Sequence, residues 1–96
     1  MEFVVVNEEK SLFLSADIDD WRIIQEHGIS AVFDLDGGID VEVPTLPNRL
    51  IYVYFPINDE DLPDLEKLQA VAQMGAALLS KGHRVLCHRM MAIMRA

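Results

Sequence analysis

Three short apolar runs constrain this chain more than any other feature: "ISAVFDL" (29–35), "RLIYVYFPI" (49–57) and "RVLCH" (84–88). Each has strand length and none alternates cleanly between apolar and polar residues. That pattern belongs to strands covered on both faces, as in a parallel sheet flanked by helices. Between the second and third lies a helical pattern. Asp61 stands at its cap, Pro63 in its first turn, Asp64 and Glu66 near its positive end and Gly82 after its close, so the expected helix runs from Leu62 to Ser80. Leu65, Leu68, Ala72, Gly75 and Leu79 follow helical spacing and are the expected core face.

Upstream, "EFVVV" (2–6) and "SLFLSA" (11–16) flank the polar "NEEK" and read as a hairpin or two adjacent strands. "IDDWRIIQEH" reads as a helix capped by Asp17, with Asp19 and Asp20 in the first turn and Gly28 as its stop. Trp21, Ile24 and Ile23 would face the core. The order strand, helix, strand, strand, helix, strand implies an α/β fold with a mainly parallel sheet flanked by helices. At 96 residues the chain has length for a single domain, 1–96.

Charge narrows the function. The formal net charge is -8, which argues against nucleic-acid and membrane-surface partners, since both select a basic stripe. All sixteen acidic side chains fall within residues 1–66. Residues 67–96 carry Lys67, Lys81, Arg84, Arg89 and Arg95 and no acid, so an anion site is expected near the C-terminal end. In open parallel sheets ligands sit beyond the carboxyl ends of strands. Two polar clusters fall there, "NDED" (58–61) and "HRMMAIMR" (88–95).

One cysteine, Cys87, cannot form an internal disulfide, and no leader or apolar run of about 18 residues is present, so a cytoplasmic protein is expected. His27, His83 and His88 show no metal-ligand spacing and no cysteine pair exists for zinc, so no metal and no cofactor are expected. "DGG" (36–38) is turn chemistry, and the methionines at 90, 91 and 94 are read first as core filling.

The stretch "GHRVLCHRMMAIMRA" (82–96) resembles the signature region of the cysteine-dependent protein tyrosine and dual-specificity phosphatases: apolar strand, His, Cys, two residues, Gly, two residues, Arg, then Ser or Thr. On that pattern His88 is the motif histidine and Arg95 the motif arginine. Three positions depart: Arg89 stands at the nucleophile, Ala92 at the glycine and Ala96 at the hydroxyl residue. "GISAVFDLDGG", "YVYFPINDEDLPDLEKL" and the helix leading into "KGHRVL" are similar, in order and spacing, to the dual-specificity branch, so the resemblance covers nearly the whole chain.

The resemblance implies a phosphorylated protein or phosphomonoester as partner, a general acid at Asp59 (with Asp61 less well aligned), and helices following the loop that the chain lacks. In such a mechanism a thiolate attacks phosphorus, loop N–H groups and an arginine hold the phosphate oxygens, and the acid protonates the leaving oxygen. A guanidinium at 89 has no usable lone pair, so the covalent step is lost and the domain is expected to be inactive as written.

Each residue also has a plainer reading. Arg89 either joins Arg95 and His88 in holding an anion or is a bulky charge that spoils the pocket. Asp59 equally suits a helix cap, and His88 a satisfied core position. Cys87 is either a displaced nucleophile or a small apolar residue at a strand end, set back about 6 to 7 Å along the strand from position 89. A non-catalytic phosphate-binding or protein-interaction module is the alternative function. Sequence does not fix the oligomeric state.

Overall fold

The computed structural model describes residues 3–16, 18–37, 40, 42–45, 47–57 and 64–88. Five strands, β1 (Val4–Val5), β2 (Leu12–Ser15), β3 (Ile29–Asp34), β4 (Ile51–Tyr54) and β5 (Arg84–His88), form one sheet in the order β1-β2-β5-β3-β4. The sheet is mixed. β1 is antiparallel to β2, while β2 with β5, β5 with β3 and β3 with β4 are parallel. The hairpin turn is closed by Asn7, whose Oδ1 accepts the N–H groups of Ser11 and Leu12 at 2.9 and 3.0 Å.

Two helices connect the strands, α1 (Trp21–Glu26) and α2 (Leu65–Ser80). Both start one cap later than the sequence suggests. Asp20, not Asp17, caps α1: its carboxylate accepts the Arg22 N–H at 3.0 Å and also takes the Arg22 guanidinium at two points, which leaves it no place in the first turn. Asp64, not Asp61, caps α2 by accepting the Lys67 N–H at 3.2 Å. Asp17, Asp61 and Pro63 lie outside the described residues.

Glycines end both helices. Gly28 and Gly82 have φ of +69° and +87°, a region that costs a residue with a Cβ. At α2 the closure is a Schellman turn: the N–H of Gly82 bonds to Leu79 O and that of His83 to Leu78 O, both at 3.0 Å. Arg84 then braces the first helix end, its Nη1 donating to His27 O at 2.7 Å.

The sheet separates two apolar layers. Phe13, Leu86, Val32 and Tyr52 lie in one row across β2, β5, β3 and β4. With Ile18, Ile24 and the half-buried Trp21 they make the layer under α1. On the other face Ala31, Phe33 and Val85 pack with Val71, Leu78 and Leu79 of α2.

Two expectations need correction here. β4 is an edge strand: Ile51 and Tyr54 are each 40% exposed, because nothing pairs with its outer side among the described residues. The expected core face of α2 holds only in part. Leu68, Gly75 and Leu79 lie on its half-buried side together with Val71 and Leu78, whereas Leu65 is 73% exposed and Ala72 is exposed, and no residue of the helix is fully buried.

Burial therefore predicts unequal costs for two leucines. Leu86→Ala, in the fully buried central row, should cost about 2–5 kcal/mol in urea denaturation, whereas Leu65→Ala should stay within about 0.5 kcal/mol.

Candidate functional site

At the carboxyl ends of the three inner strands a row of polar side chains replaces the apolar one. Ser15 of β2 pairs with His88 of β5, and His88 pairs with Asp34 of β3, so all three project from the same sheet face. They are 0%, 3% and 0% exposed. A buried carboxylate and imidazole demand partners, and the fold supplies them from outside the row.

Asp40, in the loop after β3, accepts a hydrogen bond from His88 Nε2 at 2.8 Å through Oδ1. The Tyr52 hydroxyl lies between the two carboxylates, 2.5 Å from Asp34 Oδ2 and 3.0 Å from Asp40 Oδ2, and receives the Asp40 N–H at 3.1 Å. The remaining oxygen of Asp34 accepts the Asp36 N–H at 3.0 Å. Tyr52 thus shares one proton between two carboxylates. Burial, followed by its hydrogen bond to Asp34, pushes its phenol well above the ordinary value, so it remains a donor at physiological pH.

Donor atoms of Asp34, Asp40 and His88 lie within 4.8 Å of one another, a spacing that a metal ion could also use, although sequence spacing gave no such group. In the structure hydrogen bonds to Tyr52 and between Asp40 and His88 hold these atoms, which makes the cluster a support for His88. With Nε2 turned to Asp40, the other nitrogen, Nδ1, faces no partner among the described residues, and neither does Ser15 Oγ on the neighbouring strand.

The sequence-derived site residues divide sharply. His88 is placed as described. Asp59, Arg89 and Arg95 lie outside the described residues. Asp34, Asp40, Tyr52 and Ser15 were missed, although one signal was available: Asp34 is the single charge inside an otherwise apolar run, and a buried charge needs a partner nearby.

Cys87 is half-buried and belongs to the opposite face, packed on Ala31, Phe33 and Val85 below α2. Burial pushes its thiol upward, away from the thiolate that a nucleophile needs. His27 and His83 serve the fold instead. His27 Nδ1 lies 2.8 Å from Ile23 O and its ring meets Phe3 edge-on at 4.8 Å, while His83 Nδ1 lies 3.0 Å from Ser30 Oγ.

No family model matches the chain, and no curated protein matches it significantly in sequence. Solved structures do match. The crystal structure of Tk-PTP in its active form aligns with a TM-score of 0.57 and 23% identity, over 83% of this chain and 57% of that one. Two crystal structures of a putative phosphatase (DUF442) from Shewanella putrefaciens CN-32 align at 0.60 and 0.63, with 19% and 20% identity, over 92% of this chain and 62% and 58% of theirs. The chain therefore has a phosphatase-like fold and spans about three fifths of the length of these neighbours.

Tyr52→Phe removes the proton shared by the buried carboxylates and should cost about 1–3 kcal/mol at neutral pH. Because folding raises the Tyr52 pKa, the native state holds a proton that the unfolded chain releases. The wild type should therefore lose stability as pH rises above about 10, and Tyr52→Phe should lack that slope in urea titrations from pH 7 to 11. Separately, Cys87 should react with iodoacetamide at pH 8 roughly tenfold more slowly in the native protein than in denaturing urea.

Proposed function

We propose that this chain is a phosphatase-like domain of the dual-specificity type that holds a phosphomonoester beyond the carboxyl end of β5 without thiol-based turnover. The observation that carries the reading is the placement of the chain's only cysteine. Cys87 faces the α2 layer, while its neighbour His88 faces the polar row, and the residue after His88 is Arg89 rather than a second cysteine. No thiol follows the histidine.

What supports phosphate binding is the run of charge and the position of the histidine. Arg89 and Arg95 follow β5 in a segment without acids, and His88 is fixed at its start by Asp40. On this reading Arg95 supplies a fork for two phosphate oxygens and Arg89 adds a second cation. Asp59, the acid of the resembling family, has no covalent step to assist. The partner is a phosphorylated protein or a small phosphomonoester, bound rather than hydrolysed.

Tungstate, an oxyanion shaped like phosphate, tests this in a thermal melt of the whole chain. A ligand bound only by the native state stabilises by about 2.7 kcal/mol at a hundredfold excess over Kd. The melting temperature should rise with tungstate in the wild type and not in Arg95→Ala, and the wild type should leave p-nitrophenyl phosphate intact from pH 5 to 8. Hydrolysis that Cys87→Ser abolishes would overturn the loss of turnover, and equal shifts in wild type and Arg95→Ala would overturn the phosphate site.

A further inference from the structure

A cavity of about 330 Å³ opens alongside α1, toward the amino ends of β3 and β4 and away from the strand ends that carry His88. Its apolar wall is Trp21 and Ile24 of α1, Ile29 at the start of β3 and Leu50 just before β4. Two guanidinium groups border it, and they are not equivalent. Arg22 is already neutralised by a two-point contact with the Asp20 carboxylate, at 3.1 and 3.0 Å. Arg49 is exposed and has no hydrogen bond or ion pair among the described residues.

In a chain with sixteen acidic and eight basic side chains, a cation left without a carboxylate beside an apolar cavity is chemically informative. Carboxylates are abundant here, yet among the described residues none is placed to meet it. The volume lies at the lower end of the range of about 300–1,000 Å³ usual for small-molecule sites, which combine apolar walls with a few orienting polar groups. Buried Ile24 and Ile29 give the floor, the Trp21 indole gives a flat wall, and Arg49 gives one positive charge at the mouth.

We infer that this cavity binds a small amphipathic anion, an aromatic or alkyl acid whose apolar body lies against Trp21, Ile24, Ile29 and Leu50 and whose acid group meets Arg49. The site is separate from the proposed phosphate site and does not depend on it. It selects by shape and single charge, where the other selects a compact oxyanion.

Trp21 is the chain's only tryptophan, so its emission reports on this cavity alone. The probe is 8-anilinonaphthalene-1-sulfonate, which carries aromatic rings and one sulfonate, titrated into the whole chain with tryptophan emission and probe emission followed together. One saturable event should quench Trp21 while probe emission rises, and the melting temperature should rise with it. Arg49→Ala should weaken binding about tenfold, the loss of one charge-assisted contact, and Arg49→Lys should restore most of it. Arg95→Ala should leave the affinity unchanged. Because Arg49 is exposed, circular dichroism of the Arg49 variants should match the wild type. The inference is overturned if the titration does not saturate, if probe emission rises without quenching Trp21, if Arg49→Ala binds within about threefold of wild type, or if Arg95→Ala is the variant that loses affinity.

Discussion

The rest of the structure depends on the pairing of β5 along both of its edges. It is hydrogen-bonded to β2 on one side and β3 on the other, and it carries two of the largest fully buried side chains among the described residues, Val85 and Leu86. Without it the hairpin and the β3–β4 pair share no ladder. The same strand delivers His88 to the ends of its neighbours, so the core and the candidate site are consequences of one register. Moving β5 by one residue would turn His88 toward α2 and Cys87 into the polar row.

That register explains why the polar groups are so interdependent. Ser15, His88 and Asp34 are adjacent because their strands are parallel and aligned, and none can reach water. Asp40 and Tyr52 are recruited to His88 Nε2 and to Asp34, one from a loop and one from the edge strand. Tyr52 belongs to two layers at once: its ring sits in the apolar row and meets Trp21 edge-on at 6.3 Å, while its hydroxyl holds the carboxylates. A polar cluster at the end of an apolar layer is thereby tied to that layer's packing.

The sequence made the elements legible where periodicity and punctuation agree. The apolar run at 29–35, the glycines at 28 and 82 and the hairpin around Asn7 all lie where pattern places them, because each reflects local backbone chemistry. The face of α2 was legible only in part: Leu68, Gly75 and Leu79 lie on its half-buried side, but Leu65 and Ala72 match the helical period as well as Val71 and Leu78 do, and only the position of the sheet chooses between them. β4 looked buried because edge and inner strands of a parallel sheet share apolar composition. His88 was found through the motif, but its partners were not: Asp34, Asp40 and Tyr52 are scattered over three segments and meet only through the strand order.

Strand order also bears on how the chain acquires its structure during synthesis. β5 lies between two strands that precede it by fifty residues or more, so the centre of the sheet is the last described strand to be made. At about 5–20 residues per second, roughly 3 to 10 s separate the completion of β3 from that of β5. For that interval the inner edges of β2 and β3 have no partner and their apolar faces no closed layer. Such non-local pairing folds slowly, so the two unpaired inner edges stand open until β5 can be inserted between them.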